Sequence, residues 1–293
     1  MGEEDSATYR ARVLGAGLVT ATGTPNMIKT LLTSVNGVNP QLISVQRNTY
    51  YGQWEIIVGG GDPYAVANAI YLGCGDPNSL CGSAMVVESI TNANPGVVTT
   101  NLFHGFSTGQ VIQINGATGM TGINGVNLTI TVLSLTTFSI GINTTSSGTY
   151  VSGSGIVTPN SRNQVISINS IPDTYTIPFV VPVQQTPVVA VTWNTIASNL
   201  TANTTVTALA TPVIVAYINA LEIGQPINVI ELQTVVANSL VSVIPTEQLI
   251  TLTFAVTING QAIPPATGTQ AIYGDPEGYY YMTSANVTFN KVA

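Results

Sequence analysis

The sequence predicts an α+β protein whose mixed α/β core is built from two halves and interrupted by a small all-β, barrel-like insert. Helical and strand-like patterns follow each other between residues 24 and 74. Residues 89–160 contain only short β-branched runs separated by turn dipeptides, and strands and helices resume afterwards. We therefore expect three segments: the first part of the core at residues 1–88, the inserted module at 89–160 and the second part of the core at 161–293.

The first part of the core is predicted to read helix, strand, strand, helix after a short opening helix of mixed charge at residues 6–14. Thr24 is a suitable N-cap for the next helix, because its hydroxyl can accept a hydrogen bond from a backbone N–H. Pro25 suits the first helical position, where its missing N–H costs nothing. Residues 42–45 and the run that begins at Trp54 are predicted strands.

A glycine-rich turn follows the second strand and is predicted to be structural. Gly59, Gly60 and Gly61 can adopt conformations closed to other residues, Asp62 is a good N-cap, and Pro63 suits the first helical turn. The alternative is a phosphate-binding turn, since helix N-termini attract anions. This turn has neither the G-x-G-x-x-G spacing nor the Lys-Ser/Thr of a P-loop, and its carboxylate would repel a phosphate. We therefore predict a helix cap and turn with no bound cofactor.

The insert is predicted from four runs that alternate in polarity or are rich in β-branched residues, at 97–100, 110–114, 128–133 and 137–140. Asn-Gly, Thr-Gly and Ser-Gly dipeptides separate the runs, as in a small barrel with hairpin turns. No charged residue lies between Ser89 and Ser161, which distinguishes this block from both flanks. We expect an autonomous β-module.

The second part of the core is predicted to mix strands with two helices. Strands are expected at residues 165–168, 188–193 and 249–258, with a last one from 279, and residues 172–187 are expected to be an extended, proline-punctuated crossing. Pro212 is expected to kink the first helix or to shift its start. The buried face of that helix is predicted to be Val206, Leu209, Val213, Tyr217 and Leu221. The second helix is expected at residues 227–240.

The composition is unusual in its shortage of charge. Only 6% of the 293 residues are charged, against about 25% in typical domains, while 45% are hydrophobic. So little charge would leave a monomer poorly soluble, and we expect partner subunits to cover much of the surface. The net charge of −7 and the six Lys and Arg residues argue against nucleic-acid binding through phosphates. No apolar run approaches the length of a membrane span, so none is expected.

The residues that could carry chemistry are few. His104 is the single histidine, and its glycine-flanked setting favours a turn imidazole bonded to backbone over a general base. Cys74 and Cys81 match no zinc-site spacing, and no nucleophile signature supports a Cys–His pair. Asp275 and Glu277 lie in a turn that could bind a cation only weakly, without an EF-hand pattern. We predict no catalytic, cofactor or metal site, and no enzyme.

Short segments in both parts of the core form a recognisable set: Glu4-Asp5, Tyr9-Arg10-Ala11-Arg12, Gly23-Thr24, residues 59–64, residues 68–71, residues 172–180, residues 182–185, Trp193-Asn194-Thr195, residues 224–228, Glu231-Leu232-Gln233 and residues 274–277. Together they resemble the baseplate J-like proteins, which are wedge components of contractile bacteriophage tails. Members of that family carry a further region ahead of the Tyr-Arg-x-Arg segment. We therefore expect either a shortened wedge protein or another chain that supplies the region.

A second set of residues lies in the insert: His104-Gly105, Ser107-Thr108-Gly109, Val111, Ile114-Asn115-Gly116, Asn124-Gly125 and Thr137-Phe138-Ser139-Ile140. These resemble small β-modules of phage tail proteins, which are related in fold to the first catalytic-cysteine half-domain of ubiquitin-activating enzymes. The resemblance implies no cysteine chemistry, and residues 89–160 contain no cysteine.

The resemblance implies a structural wedge protein in the tail baseplate of a virion, assembled in the cytoplasm of the host bacterium. Its expected partners are other copies of itself, other wedge proteins, the tail hub or spike and the sheath, with no nucleic acid and no membrane. The alternative is a host-recognition adhesin whose insert binds glycan, and a glycan hydrolase ranks third. Aromatic and acidic residues in one groove of the insert would favour glycan binding, whereas broad subunit contact would favour the wedge.

Overall fold

A computed structural model describes residues 22–196 and 200–292 and combines helices with several β-sheets. The mixed α+β class predicted from the sequence is confirmed. The helix predicted at residues 6–14 and the Tyr-Arg-x-Arg segment lie outside the described residues. Among the described helices, none is both long and apolar enough to cross a bilayer.

The described helices are α1 (Pro25–Thr33), α2 (Pro63–Cys74), α3 (Asn203–Asn219) and α4 (Val229–Leu240). The first ten described strands are β1 (Val38–Arg47), β2 (Trp54–Gly60), β3 (Leu80–Cys81), β4 (Val87–Ile90), β5 (Val97–Thr100), β6 (Val111–Asn115), β7 (Leu128–Thr129), β8 (Thr131–Val132), β9 (Thr137–Ser139) and β10 (Ile156–Thr158). The other ten are β11 (Asn163–Ser170), β12 (Asp173–Val180), β13 (Val183–Gln185), β14 (Pro187–Thr195), β15 (Ile227–Asn228), β16 (Leu249–Ile258), β17 (Gln261–Ala262), β18 (Ala271–Ile272), β19 (Gly278–Tyr280) and β20 (Val287–Lys291).

The chain divides into two compact units. The described part of unit 1 runs to Ser89 and includes residues 112–128 and 147–182. Unit 2 contains residues 90–111, residues 129–146 and the chain from Val183 onward. Residues of the predicted insert therefore occur in both units, and the three-segment division stays a prediction.

Unit 1 is built on a sheet with the strand order β1-β2-β12-β11, and β3 also pairs with β2. Strands β11 and β12 form an antiparallel hairpin, and β12 pairs with β2 in parallel. Helices α1 and α2 pack on one face of the sheet, where their apolar side chains join those of the strands. That core includes Ile28, Leu32, Ile56, Val58, Val66, Ile70, Ile168, Ile177 and Phe179.

Residues 172–187, predicted as an extended, proline-punctuated crossing, are largely extended, but they contain a sheet strand, β12, which pairs with β11 at all of its positions. Its proline is tolerated for a geometric reason. Val181 donates its N–H to the oxygen of Arg162, so hydrogen-bonded pairs recur at every second position from there. Pro178 faces Val165 between two such pairs, where no ladder bond needs its missing N–H.

The described strands of the insert form open sheets and no closed barrel, so the barrel-like form predicted for it is wrong. One sheet has the order β10-β6-β7, and the other has the order β4-β5-β9-β8. The strands that lie wholly within the insert, β5 to β10, are two to five residues long.

Unit 2 is built on a sheet with the order β17-β16-β14-β20, in which β16 is antiparallel and β20 parallel to β14. Helices α3 and α4 contribute to a single apolar core with this sheet, at whose centre Trp193 is fully buried. The indole N–H of Trp193 donates to the side-chain oxygen of Asn203 at 2.8 Å. The strand predicted at residues 249–258 coincides with β16, so this prediction is confirmed.

The buried face predicted for the first helix of unit 2 is confirmed at Val206 and Leu221 and is wrong at Leu209. Helix α3 buries Val206, Ala210, Thr211, Ile214 and Ile218, whereas Leu209 is 37% exposed. Pro212 lies inside the helix rather than at its start, on the exposed side. Water can reach the carbonyl that loses its partner there, so the helix continues.

Candidate functional site

The glycine-rich turn lies where β2 passes into α2, and it is shaped by close backbone approach. Gly60 and Gly61 have φ angles of +87° and +80°, which favour glycine. A Cβ atom on Gly60 would collide with the backbone oxygen of Gly37, and one on Gly59 would collide with the side chain of Leu42. These glycines are therefore required by packing within unit 1.

The N-terminus of the helix that follows this turn is capped by the side chain of Asp62. Asp62 Oδ2 accepts a hydrogen bond from the N–H of Ala65 at 2.9 Å, and Pro63 is the first residue of α2. A carboxylate thus occupies the position at which a helix N-terminus would attract an anion. The geometry is that of a helix cap and turn.

The two cysteines lie in unit 1, and both are buried. The Cys74 thiol donates to the backbone oxygen of Tyr71 at 3.5 Å, and burial raises its pKa. A raised pKa keeps the thiol protonated and weakens it as a nucleophile. Within residues 22–196 and 200–292, no three His, Cys, Asp or Glu side chains are grouped to hold a metal ion.

His104 is buried in unit 2 with both ring nitrogens engaged by backbone groups. Its Nδ1 accepts from the N–H of Phe106 at 3.0 Å, so in the neutral ring Nε2 carries the proton and donates to the oxygen of Ser134 at 2.9 Å. The ring stacks on Phe106 and meets Phe138 edge-on. Burial lowers the pKa of His104, which favours this neutral form. The imidazole therefore fixes a turn, as a structural histidine does.

Asp275 and Glu277, which the sequence places in a turn, are buried, being 1% and 4% exposed. Asp275 accepts from the backbone N–H of Phe103 at 2.6 Å and from that of Glu277 at 2.9 Å. Its carboxylate thus joins two chain segments of unit 2 that are 172 residues apart. The sequence could not predict this role, because no local pattern around Asp275 indicates that Phe103 is its partner.

Sequence reasoning also missed the polar residues around this turn. The side-chain oxygen of Gln185 accepts from the N–H of Asp275 at 2.8 Å, and the hydroxyl of Tyr280 accepts from the N–H of Gly274 at 3.0 Å. Burial raises the pKa of Tyr280 to about 12. These contacts hold the turn within unit 2, so it is a structural anchor.

The surface of the described chain is short of charge and rich in apolar side chains. Ten charged side chains are exposed: Lys29, Arg47, Asp62, Asp76, Glu88, Asp173, Glu222, Glu231, Glu247 and Lys291. Nineteen large hydrophobic side chains are exposed, among them Ile171 at 94%, Leu200 at 88%, Val165 at 60% and Ile250 at 60%. Among the described residues, large apolar side chains therefore outnumber charged ones at the surface.

The two outer strands of the unit 1 sheet differ in how they meet solvent. Strand β1 contains Pro40, ends in Arg47 and has an irregular register between Val38 and Ile43. Strand β11 pairs with β12 over eight consecutive positions without irregularity, and it contains no proline and no charge. Proline, bulges and charges are the devices that keep sheet edges from pairing. The β11 edge is therefore the candidate interaction site.

Comparison with known proteins identifies one domain of the chain. Residues 93–160 match the family described as the ubiquitin-activating enzyme E1 FCCH domain, which confirms the FCCH-like module predicted from the sequence. A relative of this segment is ubiquitin-like modifier-activating enzyme 6 of Homo sapiens, which is 47% identical over 57 residues. Those residues make up 19% of this chain and 5% of that relative. The likeness is to one small domain, and these matches do not bear on the baseplate J-like resemblance.

The FCCH-like residues in unit 2 are joined to the rest of that unit by directed hydrogen bonds. Besides the bond from Phe103 to Asp275, the N–H of Leu135 donates to the side-chain oxygen of Gln261 at 3.1 Å. Both acceptors lie well outside residues 93–160. This part of the module is therefore fastened in place rather than loosely tethered.

Proposed function

We propose that this protein is a structural component of a phage tail baseplate, a wedge protein that holds neighbouring subunits around the tail hub. The observation that carries the proposal is the surface, on which nineteen large hydrophobic side chains and ten charged ones are exposed among the described residues. A surface of this kind suits a permanently assembled subunit better than a soluble monomer. The resemblance of the core segments to baseplate J-like proteins supplies the particular assembly.

The chemistry of the buried polar residues supports a structural role. His104 is held by two backbone groups, and Asp275 accepts from two backbone N–H groups. Each of these residues fixes the path of the chain from inside the fold. A wedge protein needs such rigidity, because it transmits position between its neighbours.

The adhesin alternative has no specific observation in its favour. The aromatic side chains of the FCCH-like segment are Phe103, Phe106, Phe138 and Tyr150; the last two are buried and the first two are half-buried. The segment contains no carboxylate. Sugar binding uses exposed aromatic faces and carboxylates, so the wedge is the better proposal.

The proposed partners are other copies of the chain, other wedge proteins, the hub or spike and the sheath, in the baseplate of a virion assembled in a bacterial cytoplasm. The test is to purify contractile tails from the host that produces this chain and to identify their proteins by peptide mass spectrometry. We expect the chain to co-sediment with sheath and hub, and its deletion to leave tails without complete baseplates. Intact tails that lack the chain would contradict the proposal.

A further inference from the structure

The outward side of β11 carries a row of backbone groups that the fold leaves for a partner. Val181 donates its N–H to the oxygen of Arg162, so these two residues are a hydrogen-bonded pair of the antiparallel ladder. Such pairs recur at every second position, so the even-numbered residues of β11 direct their N–H and C=O groups to β12. Val165, Ser167 and Asn169 direct theirs outward. In the described chain, no hydrogen bond is formed by these outward groups. They are a ready template for another strand.

The side chains along β11 sort by face in the same alternation. Ile166 and Ile168 face the core, and Ile168 is only 3% exposed. Val165, Ser167 and Asn169 are exposed on the other face, where Thr174 donates its hydroxyl hydrogen to Asn169 at 3.0 Å. An added strand must match both faces, with apolar residues on the core side and small uncharged ones on the other.

We infer that β11 pairs with β11 of a second copy of this chain, antiparallel and about a two-fold axis at Ser167. In this register Ser167 faces its own counterpart, and Val165 faces Asn169 of the second copy. All three pairs join outward-facing groups, so they form six backbone hydrogen bonds. Ile166 then lies beside Ile168 of the second copy, which extends the apolar layer of each unit 1 sheet across the contact.

Charge and register both favour a second copy as the occupant. Two chains of net charge −7 repel each other, but residues 163–171 carry no charge, so these edges can meet without an opposed pair of like charges. A two-fold axis at Ser167 forms the contact between Ile166 and Ile168 twice. An axis one residue away in either direction pairs one isoleucine with itself and leaves the other beside a polar residue. An isologous contact of this kind closes as a dimer.

The inference names one partner of the proposed assembly protein and rests on that proposed function only for its biological setting. It can be tested on the purified full chain. Failure of the dimer would leave the tail-purification test untouched, and a dimer found in a chain absent from tails would leave this inference standing.

The first experiment uses a single cysteine, Ser167→Cys, with Thr176→Cys as its matched control. Thr176 is exposed and lies opposite Ser167 on β12. In the dimer the two copies of residue 167 have Cα atoms about 5.5 Å apart, within disulfide range, whereas the copies of residue 176 are three strand spacings, about 14 Å, apart. Native Cys74 and Cys81 are both buried. Mild oxidation should link Ser167→Cys into a dimer and leave Thr176→Cys unlinked.

The second experiment measures self-association of the full chain by sedimentation equilibrium. Ser167→Pro removes an outward N–H that no bond within the described fold uses, and Thr176→Lys puts a charge on the same exposed face one strand further in. We expect the proline to weaken dimerisation at least tenfold, whereas the lysine leaves it within threefold. A wild type that is monomeric throughout, a dimer unchanged by Ser167→Pro, or equal cross-linking of both cysteine variants would overturn the inference.

Discussion

The outer strands β1 and β11 belong to one sheet of unit 1 and share one core, yet they meet solvent in opposite ways. In β1 the sequence places Pro40 within the strand and Arg47 at its end, and the register slips between Val38 and Ile43. In β11 eight pairs run without a slip, and no residue is charged. The β1 edge is therefore protected against further pairing and the β11 edge is not, so the sheet has a single direction for strand addition.

The largest expected effect tests whether β11 is a fixed strand rather than a loosely held flap. Ile168→Ala should lower the free energy of unfolding by roughly 2–5 kcal/mol, because it removes a buried side chain from the core of unit 1. Val165→Ala, on the exposed face of the same strand, should change it by less than about 0.5 kcal/mol. Urea denaturation of both variants gives the comparison. Similar small losses in both would show that β11 adds little to the core and is a poor template.

The next variant removes the proline and the charge that keep the β1 edge from pairing with another strand. Pro40→Val together with Arg47→Thr should make β1 able to pair, because it restores an N–H and deletes a charge. We expect the sedimentation of this variant to show assemblies larger than a dimer, with a gain in association of at least about 1.4 kcal/mol, or tenfold. A variant that stops at the wild-type size would mean that the irregular register alone guards β1.

A substitution outside both edge strands separates stability from association. Asp62→Ala should cost roughly 0.5–2 kcal/mol of folding free energy, because α2 loses the acceptor for the Ala65 N–H, and Asp62→Asn should cost much less. Thermal unfolding measures both variants. Because Asp62 itself lies at the N-terminus of α2 and on neither edge strand, dimerisation at 20 °C should stay at the wild-type level. If both variants dissociated the dimer equally, the contact would not be specific to β11.

The smallest expected effect is a change in stability with pH. His104 should cause it, whereas dimerisation through the uncharged β11 edge should not depend on pH. Burial lowers the pKa of His104 in the folded state, so its contribution to stability is present above the unfolded value of about 6.5 and is lost as pH falls below that value. The wild type should therefore unfold at lower urea concentration at pH 5 than at pH 7.5, and His104→Gln should reduce that difference. Dimerisation through residues 163–171 should not change over this range. An equal pH dependence in both proteins would remove His104 as its source.

Local signals in the sequence predict the elements of this fold better than their arrangement. Thr24 and Asp62 lie at helix N-caps, and α4 begins after its N-cap Asn228, because a cap depends on residues within one turn. The predicted face of α3 differs from the observed one because the periodic apolar residues include Leu209, whereas the structure buries the small residues Ala210 and Thr211. Only the packing partner decides between such faces.

The candidate site depends on the order of the strands within the sheet, which the sequence alone does not show. Pro178 hides strand β12 in the sequence, and without β12 nothing shows that β11 is the last strand of the sheet. The anchor at Asp275 depends on Phe103, far away along the chain. The FCCH-like segment could be recognised because the residues that characterise it all lie within residues 93–160. Its open sheets could not be predicted, because closure depends on strand pairing between distant residues.

The measurement that tests the central claim most directly is hydrogen–deuterium exchange of the two edges as a function of protein concentration. The outward amides of Val165, Ser167 and Asn169 should exchange at least tenfold more slowly at high than at low concentration, because the second copy then accepts their hydrogen bonds. The outward amides of β1 in the same sample should not change. Protection that rises equally at both edges, or at β1 alone, would contradict the account, as would fast exchange of the β11 amides at every concentration.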